Sequence, residues 1–132
     1  MLLRRETREL LEHAGVRVRY LDLHKEGLYI DALRVIVVSS RLDDKDQERV
    51  ILHELGHAVE HRGCSALYTA TQTQHIKMEG EANEYMLREK LAEYASDRDI
   101  SKESIDAVNF LESQKISLNF LSSVEELLKT GV

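Results

Sequence analysis

Apolar positions recur along the chain with a period that changes from segment to segment, and each period predicts an element. Leu2, Leu3, Leu10 and Leu11 are spaced for an opening helix, read over Thr7 to Ala14 and ending at Gly15. Val16 to Tyr20 then alternates apolar and charged residues, as a half-buried strand does. Leu28 to Ile30 is a second short strand after a polar break closed by Gly27, and Arg34 to Val38 is a third, rich in β-branched residues. Three short strands with tight connections predict a small antiparallel sheet, with Arg34 to Val38 as an edge to which a peptide strand can add.

The longer periods follow. Asp43 or Asp44 is the expected N-cap of a helix that runs to about Arg62 and stops at Gly63, with Asp46 and Glu48 placing negative charge in its first turn. Ile51, Leu52, Leu55, Ala58 and Val59 form one stripe of that helix, and His53 and His57 fall on nearly the opposite side. From Cys64 to His75 no period is clear, and the stretch reads as a mobile loop beside the histidines. Lys77 to Ala95 is a helix buried on two faces, through Met78, Ala82, Tyr85 and Met86 on one and Leu87, Leu91 and Tyr94 on another. Residues 100–132 read as two further helices carrying Ile105, Val108 and Leu111, then Val124, Leu127 and Leu128. The class is α+β, and 132 residues make one domain.

Composition narrows the function classes. The charge of −6 is spread without a basic stripe, which argues against direct nucleic-acid binding and for a protein partner. No apolar run approaches the roughly 20 residues that cross a bilayer, so no membrane role is expected. The N-terminus has no secretory pattern and the single Cys64 cannot form an internal disulfide, so the expected location is the cytoplasm.

The candidate chemistry lies in His53-Glu54-Leu55-Gly56-His57. Residues four apart on a helix stack on one face, so two imidazoles converge on one metal ion, Zn²⁺ being the expected one. Glu54, beside the first ligand, is placed to take a proton from an activated water. Gly56 keeps the helix surface low between the histidines and marks a place to look for close approach. His61, further along the same side, is expected at the surface or behind the ligands. A third ligand is required, and a carboxylate from the following helix supplies it: Glu81 is the expected residue, with Glu79 and Glu84 as neighbours able to replace it. Tyr68, His75 and Tyr85 are candidates to stabilise an oxyanion.

These two blocks, Ile51 to His57 with His61 beyond, and Met78-Glu79-Gly80-Glu81-Ala82-Asn83-Glu84-Tyr85-Met86, resemble the ImmA/IrrE family of small metallopeptidases over about residues 14 to 95. The resemblance implies a zincin-like helical core, His53, His57 and Glu81 as zinc ligands and Glu54 as general base. It also implies an endopeptidase that cuts a protein regulator, a helix-turn-helix repressor of a phage or mobile element. The chain has no proline, so the proline that often closes the second family helix is missing. A rival reading keeps the zinc fold as a binding module that titrates a repressor without cutting it. Four-ligand structural zinc fits poorly, since such sites favour four Cys or His.

Overall fold

The computed structural model describes residues 3–61 and 72–130. By its internal contacts the chain falls into two compact units, Met1–Met86 and Leu87–Val132.

The first unit begins with helix α1, Arg5–Ala14, which buries Thr7 and Leu11. It stops where expected. Gly15 takes φ 69°, a left-handed cap that glycine adopts without a Cβ penalty, and the Val16 N–H donates back to the Leu11 carbonyl at 2.9 Å. Strands β1 (Arg17–Leu21), β2 (Gly27–Ile30) and β3 (Val35–Ser39) follow and form one sheet in the order β1-β3-β2. β3 runs antiparallel to β2 and parallel to β1, with Arg17 opposite Val35 and Gly27 opposite Val38. The sheet is therefore mixed, where strand pattern alone predicts antiparallel pairing throughout. β3 also lies in the middle, not at an edge. The physical reason is burial: Ile36, Val37 and Val38 are all buried, and a strand covered on both faces is best flanked on both sides. β1, with Arg17 and Arg19 exposed, suits an edge, and β2 forms the other.

Arg34, at φ 55°, closes the turn into β3 and ties three elements together. Its guanidinium donates to the Ala14 carbonyl at the end of α1 at 2.7 Å, to the Ala58 carbonyl at 3.4 Å and to the Tyr29 hydroxyl. A cation at the carbonyl end of a helix satisfies orphan acceptors and complements the helix dipole.

Helix α2, Asp44–Glu60, starts at Asp43, whose carboxylate accepts from the Asp46 N–H at 2.9 Å. Ile51, Leu52, Leu55 and Ala58 are almost fully buried as the stripe requires, while Val59, at its margin, is exposed. Gln47 donates to the Ser39 carbonyl at 3.1 Å and Glu48 accepts from Thr7 at 3.2 Å, fastening the helix to β3 and α1. β2 approaches α2 at Gly27, where a Cβ would stand 2.6 Å from a Val50 methyl and 2.8 Å from the Val37 carbonyl. α2 ends at Glu60 with His61 as its C-cap. The expected stop at Gly63, Cys64 and most of the expected loop lie outside the described residues.

Helix α3 spans Gln72–Arg98, starting five residues before the expected Lys77 and ending past Ala95. Met78, Ala82 and Met86 are buried within the first unit, and Leu87, Leu91, Tyr94 and Ala95 within the second. Of the residues expected on two buried faces, all but the half-buried Tyr85 are buried. In the second unit α4 (Ala107–Ser113) and α5 (Leu121–Lys129) are each preceded by a short 3₁₀ turn. Tyr94 meets Phe110 edge-on at 5.2 Å, and the Arg98 guanidinium lies 3.7 Å from the Tyr94 ring centre. No helix among the described residues is long and apolar enough to cross a membrane.

Candidate metal centre

One turn of α2 separates His53 from His57, and their rings stand edge-to-face with centroids 5.1 Å apart. Both Nε2 atoms face α3, and between them sits a single carboxylate. His53 Nε2 is 3.0 Å from Glu79 Oε1, and His57 Nε2 is 2.6 Å from Glu79 Oε2. The three residues can offer ligand atoms that all lie within 4.8 Å of one another.

Glu79 stands there because of how α3 packs. A Cβ on Gly56 would be 2.9 Å from the Ala82 Cα, 3.0 Å from the Ala82 carbonyl and 3.1 Å from the Tyr85 Cβ, so the two helices nearly touch, as the low surface at Gly56 foreshadows. Ala82 is thereby fixed on the side of α3 that faces α2. Glu79, three residues earlier, shares that side, whereas Glu81 lies about 100° away from Ala82 and about 200° from Glu79.

Glu81, the expected third ligand, accordingly does not join the pair. Its Oε1 is 2.9 Å from His61 Nε2, and its side chain is 45% exposed. Which of Glu79, Glu81 and Glu84 faces the histidines depends on a helix register that the sequence alone does not show. The signal that could have decided it was the pair of small residues, Gly56 and Ala82, which marks the facing sides. Asn83, given no role from sequence, shares the side of Glu79 and is hydrogen-bonded to His53 through its side chain. His61 is buried behind His57, the two Nδ1 atoms 3.1 Å apart. Of the residues considered for an oxyanion, Tyr85 packs on Gly56, His75 is exposed near the start of α3 and Tyr68 lies outside the described residues.

Electrostatically the site calls for a cation. Burial pulls the His53 pKa down, but the hydrogen bond to Glu79, the charges of Glu54 and Glu79 and the Asn83 contact outweigh it, and the net shift is upward. Glu54 is also shifted upward, chiefly by burial with a contribution from Glu79, against the pull of His53, His57 and Lys25. A cleft of about 370 Å³ opens over these groups, lined among others by Lys25, Gly27, Tyr29, Glu54, His57 and Glu79.

The donor set fits a divalent metal. Two imidazoles and one carboxylate are the ligand types of a catalytic zinc site, and tetrahedral bonds of roughly 2.0–2.2 Å place ligand atoms about 3.4 Å apart, about 0.4 Å beyond the His53 contact and about 0.8 Å beyond the His57 contact with the carboxylate.

Residues 11–119 match the peptidase M78 family, described as the IrrE N-terminal-like domain. The chain belongs to this family. Membership in M78 gives it a metallopeptidase-type function, and with that a metal cofactor and a protein substrate. The matched span takes in both α2 and the whole of α3, the two helices that carry the metal-capable group of this M78 chain. Among curated proteins none is similar enough to count as a match.

Proposed function

We propose that the chain is a zinc endopeptidase in which His53, His57 and Glu79 hold the ion and Glu54 is the general base. The observation that carries this reading is the convergence of both histidine Nε2 atoms on the two oxygens of one carboxylate. A zinc ion held there supplies Lewis acidity to a peptide carbonyl and to the attacking water.

The chain's own groups do the rest. Glu54 accepts a proton from the water as it attacks and delivers it to the departing amine. Burial, which raises its pKa, moves its proton affinity toward the neutral range where such an exchange is efficient. The substrate strand is placed by the outer edge of β2. The Ser39 N–H donates to the Glu26 carbonyl, so residues 26, 28 and 30 turn their polar groups toward β3, while those of Gly27 and Tyr29 turn outward. Gly27 and Tyr29 line the cleft, and an extended peptide paired with them lies along the metal group.

The resemblance to ImmA/IrrE proteins supports a helix-turn-helix repressor, of phage or mobile-element origin, as the substrate, and a cytoplasmic site of action. The test is Glu54→Gln beside wild type, with zinc content and cleavage of candidate helix-turn-helix repressors both measured. We expect the variant to keep its zinc and lose cleavage by about 10²-fold or more. A variant that still acts on the repressor in cells would instead favour titration without cutting.

A further inference from the structure

We infer that His61 and Glu81 form a positioning relay that sets the tautomer of His57 and presents its Nε2 lone pair to the metal. The inference rests on the metal reading above and extends it to two residues outside the ligand set.

The directions of the hydrogen bonds follow from the far end. A carboxylate accepts only, so Glu81 Oε1, 2.9 Å from His61 Nε2, requires the His61 proton to be on Nε2. A neutral imidazole carries one proton, so His61 Nδ1 is then an acceptor. It lies 3.1 Å from His57 Nδ1, which must therefore be the donor. With its proton on Nδ1, His57 has a lone pair on Nε2 for a metal; without one, that nitrogen faces the acceptor-only Glu79 carboxylate at 2.6 Å and carries a proton itself. With a metal on His57 Nε2 each link has one sense, and the chain of two bonds transmits the preference of an exposed carboxylate to a buried ligand.

Position supports the same role. His61 is the C-cap of α2, one turn beyond His57, and is only 9% exposed. A buried imidazole with both nitrogens engaged, one by a ligand and one by an acid, is a specific arrangement and not a solvated helix end. Outer partners of this kind orient the ring and raise its basicity toward the metal, and their loss commonly costs 10- to 100-fold in metal affinity.

The test is zinc affinity, read by competition with a chromophoric chelator, on wild type, Glu79→Ala, His61→Phe, His61→Asn, Glu81→Ala and Glu81→Gln. Metal-free thermal unfolding is measured for each. His61→Phe removes the acceptor and should weaken zinc binding 10- to 100-fold. His61→Asn keeps an acceptor near the Nδ1 position and should recover most of that loss. Glu81→Ala should weaken binding less than His61→Phe and add nothing in its background, and Glu81→Gln, whose amide oxygen still accepts, should bind more tightly than Glu81→Ala. Nitrogen-15 spectra of the zinc-loaded protein should show His57 protonated on Nδ1.

Loss of zinc in Glu79→Ala with unchanged affinity in the His61 and Glu81 variants overturns the relay and leaves the metal site standing. Complete loss of zinc in both Glu81 variants makes Glu81 a ligand and also overturns it. A wild-type protein that takes up no zinc overturns both readings together. Should His61→Phe unfold, the Glu81 pair carries the comparison, since that side chain is half in solvent.

Discussion

Gly56→Ala tests the geometry on which the metal centre depends without touching any ligand. The added Cβ would stand 2.9 Å from the Ala82 Cα and 3.0 Å from its carbonyl oxygen, backbone atoms that cannot turn away. Ordinary carbon contacts begin at about 3.5 Å, so α3 must retreat from α2 by roughly 0.6 Å. Overpacking of this kind costs about 1–3 kcal/mol, and alanine returns about 1 kcal/mol of helix propensity. The net loss is about 1 kcal/mol, a fall of a few degrees in the unfolding temperature of the metal-free protein.

The larger effect is on the site. Glu79 lies one turn from Ala82, so the retreat shifts its backbone by roughly 0.6 Å relative to both histidines, against a tolerance of about 0.2 Å in metal–ligand bonds, whereas in the wild type a small turn of the carboxylate alone can bring its oxygens to ligand spacing. Zinc affinity should fall at least tenfold. Chelator competition and thermal unfolding measure the two effects separately, and Gly80→Ala is the control. A Cβ at Gly80 meets nothing within 4 Å, so that variant should gain about 0.5–1 kcal/mol and keep its zinc affinity. If Gly56→Ala also gains stability and binds zinc as tightly as wild type, the close approach of the helices is not what places Glu79.

Further outcomes follow from other parts of the chain. Asp43→Ala removes the carboxylate that accepts from the Asp46 N–H and should cost about 1 kcal/mol in denaturant unfolding, since α2 anchors the first unit. Burial raises the Glu89 pKa above 4.5, with Lys102 opposing, so the folded state favours the protonated acid. That contribution is fully present below the unfolded pKa and is lost as pH rises through the folded one. Glu89→Gln should therefore unfold at a higher temperature than wild type at neutral pH, with the difference vanishing near pH ~4. Arg34→Gly relieves a left-handed backbone, at φ 55°, but deletes bonds to Tyr29, Ala14 and Ala58. Charge-assisted bonds outweigh a conformational gain of about 1 kcal/mol, so melting should show a net loss of stability.

Much of the molecule is legible along the chain because its causes are local. Gly15 ends α1 through its own backbone freedom, Asp43 caps α2 through an N–H three residues away, and the burial of Ile51, Leu52, Leu55 and Ala58 follows from a 3.6-residue period. The same period sets His53 and His57 on one face, so the pair and its adjacent Glu54 can be named before any fold is known. Strand pairing is less legible. Val35 to Val38 announces a strand, but its neighbours and their directions depend on which strand most needs cover on both faces.

By itself the sequence determined the α+β class, the helices that carry the site and the histidine pair, since each rests on residues within a turn or two of one another. Only the tertiary structure decided that Glu79 and not Glu81 meets that pair, that His61 and Glu81 stand behind it and that β2 borders the cleft. Two acids two residues apart are equivalent in composition and nearly so in position, yet lie on opposite sides of a helix. Which one faces the histidines is set by the contact of Gly56 with Ala82, made between helices that approach only when the chain is folded.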